Sequence, residues 1–95
     1  DHFLEEYFWR PSGIICYSAG SFGGVRAAMQ LRMTLAELGM PSIPSVLSIP
    51  WIAETISDSG LAHHAATEQS MNRFLDEFIW YASALADARI EGMPY

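Results

Sequence analysis

The residues best suited to chemistry form one loop of mostly small side chains. In chain order they are Ser18, Ala19, Gly20, Ser21, Phe22, Gly23 and Gly24. The loop follows a short apolar run, residues 13–17, and precedes a helix-forming stretch, residues 25–38. It therefore falls at the carboxyl end of a predicted strand, where open α/β sheets bind ligands. Glycine lets backbone approach a flat ligand closely, although a purely structural turn between strand and helix would use the same residue types.

Two other kinds of site, a hydrolase triad and a metal site, have partial support in the sequence. The loop is neither a Walker A loop nor GxGxxG, but residues 19–23 resemble a nucleophile elbow with Ala in the first Gly position. Asp58 and then His63 or His64 follow Ser21, the chain order of an α/β-hydrolase. That fold needs a larger sheet and a separate oxyanion loop, for which this chain has no room. Adjacent histidines do not share a helix face, so a solvated loop pair is favoured over a metal site.

Composition indicates one small domain or part of one. Of the 95 residues, 51% are apolar, a high share that predicts burial against something else as well, such as a second copy. The net charge is -6, and the five basic residues, all arginines, are scattered. We therefore expect neither nucleic acid nor an anionic membrane as a partner. The single cysteine, Cys16, is expected to be a buried hydrophobe.

Periodicity predicts an α/β element order. The expected elements are a short helix over residues 1–9, with Phe3, Leu4, Tyr7 and Phe8 as its apolar positions, a strand over 13–17, a helix over 25–38, a strand over 45–49, a loop or short helical turn over 51–66, and a helix over 67–89. The continuous apolar run at 13–17 suits a strand buried on both faces. Two parallel strands make a poor sheet alone, so further strands are missing or come from another subunit.

The two long helices have different patterns. Residues 25–38 carry only a narrow polar stripe of Arg26, Gln30, Thr34 and Glu37, which predicts that the helix is covered on more than one side. The last helix is amphipathic, and we expect its apolar positions to be buried: Met71, Phe74, Leu75, Phe78, Ile79, Ala82, Leu85 and Ala86. The three tryptophans, Trp9, Trp51 and Trp80, are expected to be core or interface anchors.

Several segments, taken in order, resemble one known family. They are residues 17–28 (YSAGSFGGVRAA), 30–31, 35–39, 46–50 (VLSIP), 58–60 (DSG), 74–78 (FLDEF), 80–82 (WYA) and 92–95 (GMPY). Together they resemble the second half of the NADPH-dependent FMN reductases, over nearly the whole chain.

The resemblance implies a partial flavodoxin-like fold. It implies that residues 1–95 are the C-terminal half of the domain, holding its last two parallel strands and about three helices of a 2-1-3-4-5 sheet. A second copy, or a missing N-terminal half, would complete the sheet. The implied activity is that of an FMN-dependent NAD(P)H quinone or flavin oxidoreductase.

The resemblance also assigns the loop a role. Ser18, Ala19, Gly20, Ser21, Phe22 and Gly23 would line the ring side of an FMN site, with NAD(P)H as co-substrate and no catalytic side chain or metal. The family's phosphate-binding loop and its Pro-Glu-Tyr-Asn-like segment are not found in these 95 residues. The expected function is therefore that of a fragment that contributes the ring-facing loop. FMN is the cofactor that the resemblance implies, and it would be absent if nothing else supplied the phosphate site.

The alternative belongs to a different class. The chain would be a non-catalytic homodimeric interaction protein derived from a reductase fold, and, if secreted, it would bind a receptor or a glycan. The resemblance implies a cytoplasmic location, whereas a first residue of Asp1 rather than Met suits a processed or excised chain. A homodimer is expected under either hypothesis.

Overall fold

A computed structural model describes residues 5–95. Its elements are β1 (Ser12–Tyr17), α1 (Val25–Glu37), β2 (Ser42–Ile49), the single turn α2 (Ile52–Thr55) and α3 (Ala65–Glu91). The order and type of the elements after residue 10 agree with the sequence prediction. The predicted helix over residues 1–9 lies partly outside the described residues. Within them, residues 5–9 form turns, with backbone N–H groups of Phe8 and Arg10 donating to the carbonyl oxygens of Glu5 and Tyr7.

The two strands are parallel neighbours. Ile14 lies opposite Val46 and Tyr17 opposite Ile49, with an irregularity between Ser12 and Ile14. β2 begins three residues before the predicted start, because the Ser12 N–H donates to the Pro41 carbonyl oxygen at 2.8 Å and so extends the pairing. Pro44 can lie inside β2 because this strand is an edge strand among the described residues.

One helix packs on each face of this sheet. On one face Ile14, Cys16 and Ala28 form a buried cluster that joins β1 to α1. On the other face Phe74 of α3 packs with Ile43, Leu47 and Ile49 of β2. The predicted fold class, an α/β arrangement with two parallel strands and three helices, is thus confirmed as a partial flavodoxin-like structure, and Cys16 is buried as expected.

α1 ends where the sequence predicts but leaves much apolar surface exposed. Leu38 caps it, and Gly39 follows in the left-handed region with φ of 83°. Ala28 is its only fully buried residue. Apolar side chains around the rest of the helix are exposed to solvent: Val25, Met29, Leu31 and Met33. The prediction that this helix needs a second neighbour therefore stays open.

The prediction that β1 is buried on both faces is wrong. Its burial alternates, with Ser12, Ile14 and Cys16 buried. Ile15 and Tyr17, which point to the α3 side of the sheet, are 57% and 67% exposed. α3 lies mainly over β2, so the same face of β1 is left uncovered.

The burial predicted for α3 is only partly right. Phe74 is its only fully buried residue, while Leu75 is 50% exposed and Ile79 is also exposed. The reason is that the two-stranded sheet is narrow. One side of the apolar stripe of α3 is enough to cover it, so the other side of the stripe stays exposed. Of the predicted anchors, Trp9 is half-buried, whereas Trp51 and Trp80 are exposed.

Candidate functional site

The loop of residues 18–24 is tied by backbone hydrogen bonds to the end of β2 and the residues that follow. The Ser18 N–H donates to the Ile49 carbonyl oxygen at 3.1 Å. In return, the N–H of Trp51 donates to the Gly20 carbonyl oxygen at 2.9 Å and the N–H of Ile52 to that of Ser18 at 3.0 Å. The loop is therefore held at the carboxyl ends of both parallel strands, as the sequence predicted for a ligand site in such a sheet.

The Ser18 hydroxyl closes the loop internally. It donates to the Gly20 carbonyl oxygen at 2.9 Å and accepts the Gly23 N–H at 2.7 Å. Both bonds lie within the loop and mimic a backbone turn, as serine hydroxyls commonly do. Ser18 thus positions the loop, and its hydroxyl is already used when a ligand arrives.

The glycines of the loop have different reasons for being glycine. Gly23 and Gly24 have φ of 68° and 79°, in the region that disfavours other residues. A Cβ on Gly23 would overlap the Ser48 hydroxyl, and one on Gly24 would lie 2.8 Å from the Tyr17 carbonyl oxygen. A Cβ on Gly20, in contrast, would meet no atom within 4 Å. Gly23 and Gly24 are required by the fold, whereas Gly20 borders open space.

The remaining loop residues face solvent. Ala19 and Ser21 are exposed, and the Phe22 side chain is 87% exposed. Beside them lies an open groove of about 810 Å³, which is lined by Phe22, Gly24, Val25, Arg26 and Met29. The exposed Phe22 ring borders this groove, and open space lies at Gly20. The loop therefore offers an aromatic contact and a close approach to backbone, both of which suit a flat aromatic ligand such as a flavin ring.

Two residues that sequence reasoning missed support this loop. The Ser48 hydroxyl donates to the Gly23 carbonyl oxygen at 3.2 Å, and so fixes the loop to β2. Trp51, whose N–H holds Gly20, has φ of 51°, which is unusual for a residue other than glycine. A serine two residues before the Pro50-Trp51 exit was the available signal, because a hydroxyl at a strand end commonly bonds neighbouring backbone.

The residues that a hydrolase triad or a histidine metal site would use are exposed to solvent, and most of them lie outside this loop. Ser21, Asp58, His63 and His64 are all exposed, although the Asp of a Ser-His-Asp triad is buried. In the part of the chain that the structure describes, no group of three His, Cys, Asp or Glu side chains converges as metal ligands would. Likewise, no helix described here has the length and apolar content that crossing a membrane requires.

Comparison with known families gives one match. The family described as NADPH-dependent FMN reductase matches residues 1–54, which include β1, the candidate loop, α1 and β2. The match lies in the N-terminal part of this chain. It therefore does not support the predicted resemblance of residues 58–95 or the assignment to the C-terminal half of the domain. No curated protein is similar enough to the sequence to count as a match.

Proposed function

The chain belongs to the NADPH-dependent FMN reductase family, and on that premise we propose that its loop of residues 18–23 contributes the ring-facing side of a flavin site. In this proposal the chain represents the C-terminal half of the domain, and other polypeptide binds the flavin phosphate. The observation that carries the proposal is the open space at Gly20, beside the exposed Phe22, on a loop whose ends are fixed by hydrogen bonds.

The loop residues divide the work of binding. Ser18, Gly23 and Ser48 hold the loop in shape, so little conformational entropy is lost when a ligand docks. Because Gly20 has no side chain, the flavin ring can approach the backbone there, and Phe22 offers an aromatic contact. Bound FMN would accept a hydride from NAD(P)H and pass electrons to a quinone or a flavin. The residues of this chain would orient the ring and exclude water from one side of it.

Flavin binding to the purified chain tests this proposal. Trp51 is a natural reporter, because its N–H bonds Gly20 and an adjacent flavin would quench its fluorescence. We expect FMN and riboflavin to quench it with similar affinity, since ring contacts alone are proposed here. Much tighter binding of FMN would instead place a phosphate site within this chain.

A matched pair of variants localises the binding. Gly20→Val places a side chain in the open space and is expected to weaken flavin binding while the circular dichroism spectrum is unchanged. Ser59→Val adds similar apolar bulk to an exposed turn away from the loop and should bind flavin as the parent chain does. Equal binding by both variants, or no quenching by either flavin in the parent chain, would contradict the proposal.

One observation favours the second candidate, a non-catalytic interaction protein. Met33 on α1 is 72% exposed, and Met29 and Leu31 are also exposed, so this helix presents apolar surface that a monomer has no use for. A chain that binds no flavin but forms a stable homodimer would favour this candidate. Its partner, a receptor or a glycan if the chain is secreted, is a prediction that no residue described here specifies.

A further inference from the structure

Among residues 5–95, two residues other than glycine have a left-handed backbone, and both are tryptophans. Trp9 has φ of 63° and Trp51 has φ of 51°. In this conformation Cβ lies too close to the carbonyl oxygen that follows, so a bulky residue is strained. Such strain persists only where surrounding contacts enforce it, and it concentrates at functional sites. Each tryptophan therefore needs a physical reason, which either the fold or a ligand must supply.

At Trp9 the fold supplies that reason. The indole N–H donates to the Tyr95 carbonyl oxygen at 3.2 Å, and the two ring centroids are 5.2 Å apart. The Arg89 guanidinium donates to the Trp9 carbonyl oxygen at 2.8 Å. Backbone and side chain of Trp9 thus both join the segment before β1 to α3 and the residues after it. This tryptophan has a structural role.

At Trp51 the fold explains the backbone but not the side chain. The Trp51 N–H donates to the Gly20 carbonyl oxygen at 2.9 Å, and its carbonyl oxygen accepts the N–H groups of Glu54 and Thr55 at 2.9 and 3.0 Å. These bonds turn the chain from β2 into α2 and enforce a conformation that glycine would adopt without strain. Yet the side chain is 50% exposed, and over residues 5–95 the indole neither hydrogen-bonds nor pairs with another aromatic ring.

We propose that the indole of Trp51 is a second aromatic contact for the flavin ring, from a segment outside the loop of residues 18–23. This inference rests on the proposed flavin site and adds to it a residue that follows β2. The bond to Gly20 places Trp51 directly beside the position where the backbone borders open space. Aromatic rings prefer offset-stacked or edge-to-face contacts with one another, and an exposed indole offers both to an isoalloxazine.

The backbone bonds also prepare Trp51 for this role. Its N–H and its carbonyl oxygen are both held, so the indole is carried on a fixed Cα and little backbone entropy is lost when a ligand docks. Phe22, the other exposed ring of the site, belongs to the loop after β1. The flavin would therefore contact aromatic side chains from two separate segments, which the bond between Gly20 and Trp51 keeps in register.

Three substitutions of Trp51 separate the ring from the backbone. Trp51→Phe keeps an aromatic ring, whereas Trp51→Ala and Trp51→Gly both remove it, and only glycine relieves the left-handed backbone. We expect the alanine and glycine variants to bind riboflavin about tenfold more weakly than the parent chain, and the phenylalanine variant to stay within about threefold of it. Isothermal titration calorimetry measures the binding, because it needs no tryptophan reporter, and circular dichroism verifies folding.

Unfolding in urea provides the second readout. Trp51→Gly should have a higher midpoint than Trp51→Ala, the reverse of the usual order, because alanine keeps the strain at a positive φ. If Trp51 served only to shape the loop through its backbone, riboflavin binding would follow the same order, and the glycine variant would bind more tightly than the alanine variant. A contact made by the ring predicts equal binding by these two variants.

A matched control and three results decide the inference. Trp80→Ala removes a 67% exposed indole from α3 and should leave riboflavin binding unchanged. Binding by Trp51→Ala as tight as that of the parent chain would overturn the inference and leave the proposed flavin site intact. Tighter binding by Trp51→Gly than by Trp51→Ala would overturn it in favour of a backbone role. A parent chain that binds neither riboflavin nor FMN, in calorimetry and in equilibrium dialysis, would contradict the flavin site itself and the inference with it.

Discussion

The two strands of the small sheet are covered by other elements to different degrees. Around β2, three strand residues are buried under α3, namely Ile43, Leu47 and Ile49. The Arg32 and Glu77 side chains hydrogen-bond the backbone of residues 43–45, opposite the irregularity in the strand pairing. Around β1, the face toward α1 is buried, but the opposite face and the free edge are open. Among the described residues, the face of β2 toward α3 is thus covered, whereas the same face of β1 is open.

The difference shows where apolar residues of the described chain are packed and where they remain exposed. The buried cluster between β2 and α3 is the larger of the two hydrophobic clusters among the described residues. Exposed apolar groups on β1 reduce what the chain gains from folding alone, since their burial awaits a neighbour. In the proposed function, flavin binds at the carboxyl ends of the two strands. The candidate loop follows β1 there and is held by Ser48 and Trp51 at the end of β2.

The largest effect on stability is expected at Phe74 of α3, and the adjacent Leu75 serves as its comparison. Phe74→Asp should unfold the chain, because it removes an aromatic contact worth about 3–5 kcal/mol and buries a carboxylate. Leu75→Asp, which an amphipathic pattern alone would rank as equally harmful, should change the free energy of unfolding by only about 1 kcal/mol or less, since Leu75 is half exposed. Thermal unfolding followed by circular dichroism compares them. Similar losses for both would mean that α3 is rotated relative to the sheet.

A smaller effect on stability is expected in the loop of residues 18–24. Gly23→Ala should destabilise the chain by about 2 kcal/mol, from a left-handed backbone and a displaced Ser48 hydroxyl. Gly20→Ala should leave the midpoint of urea unfolding unchanged, because the added methyl meets no atom. The reverse order of these two losses would contradict the proposed separation of structural and ligand-facing glycines.

The smallest effect on stability concerns the contact between Glu77 of α3 and Ser45 of β2. Glu77→Ala should cost about 1–2 kcal/mol, because the N–H and hydroxyl of Ser45 lose their acceptor. Asp76→Ala, a neighbouring exposed carboxylate, serves as the control and should alter stability by about 0.5 kcal/mol at most. Thermal unfolding followed by circular dichroism compares the two variants, and equal losses would contradict a stabilising role for the Glu77 carboxylate.

Much of the fold could be predicted from local pattern. The apolar run at residues 13–17 and the helix-forming stretch at 25–38 located β1 and α1 correctly, and α3 was placed within two residues at each end. Burial was predicted less well, because periodicity reports which residues share a face and not whether another element covers that face. Ile15, Tyr17, Leu75 and Ile79 all belong to apolar patterns, yet they are exposed because the described sheet has only two strands.

For the candidate site, too, the sequence and the tertiary structure supplied different information. The sequence by itself determined a small-residue loop after a strand, its resemblance to the FMN reductases and the family to which the chain belongs. Only the tertiary structure decided that Ser18 and Gly23 hold the loop, that Gly20 borders open space, and that Ser48 and Trp51 support it. The physical reason is distance along the chain. A glycine in a loop indicates unusual backbone freedom, but the sequence does not show whether a turn or a ligand uses it. At Gly23 the answer depends on the Ser48 hydroxyl, 25 residues further along the chain.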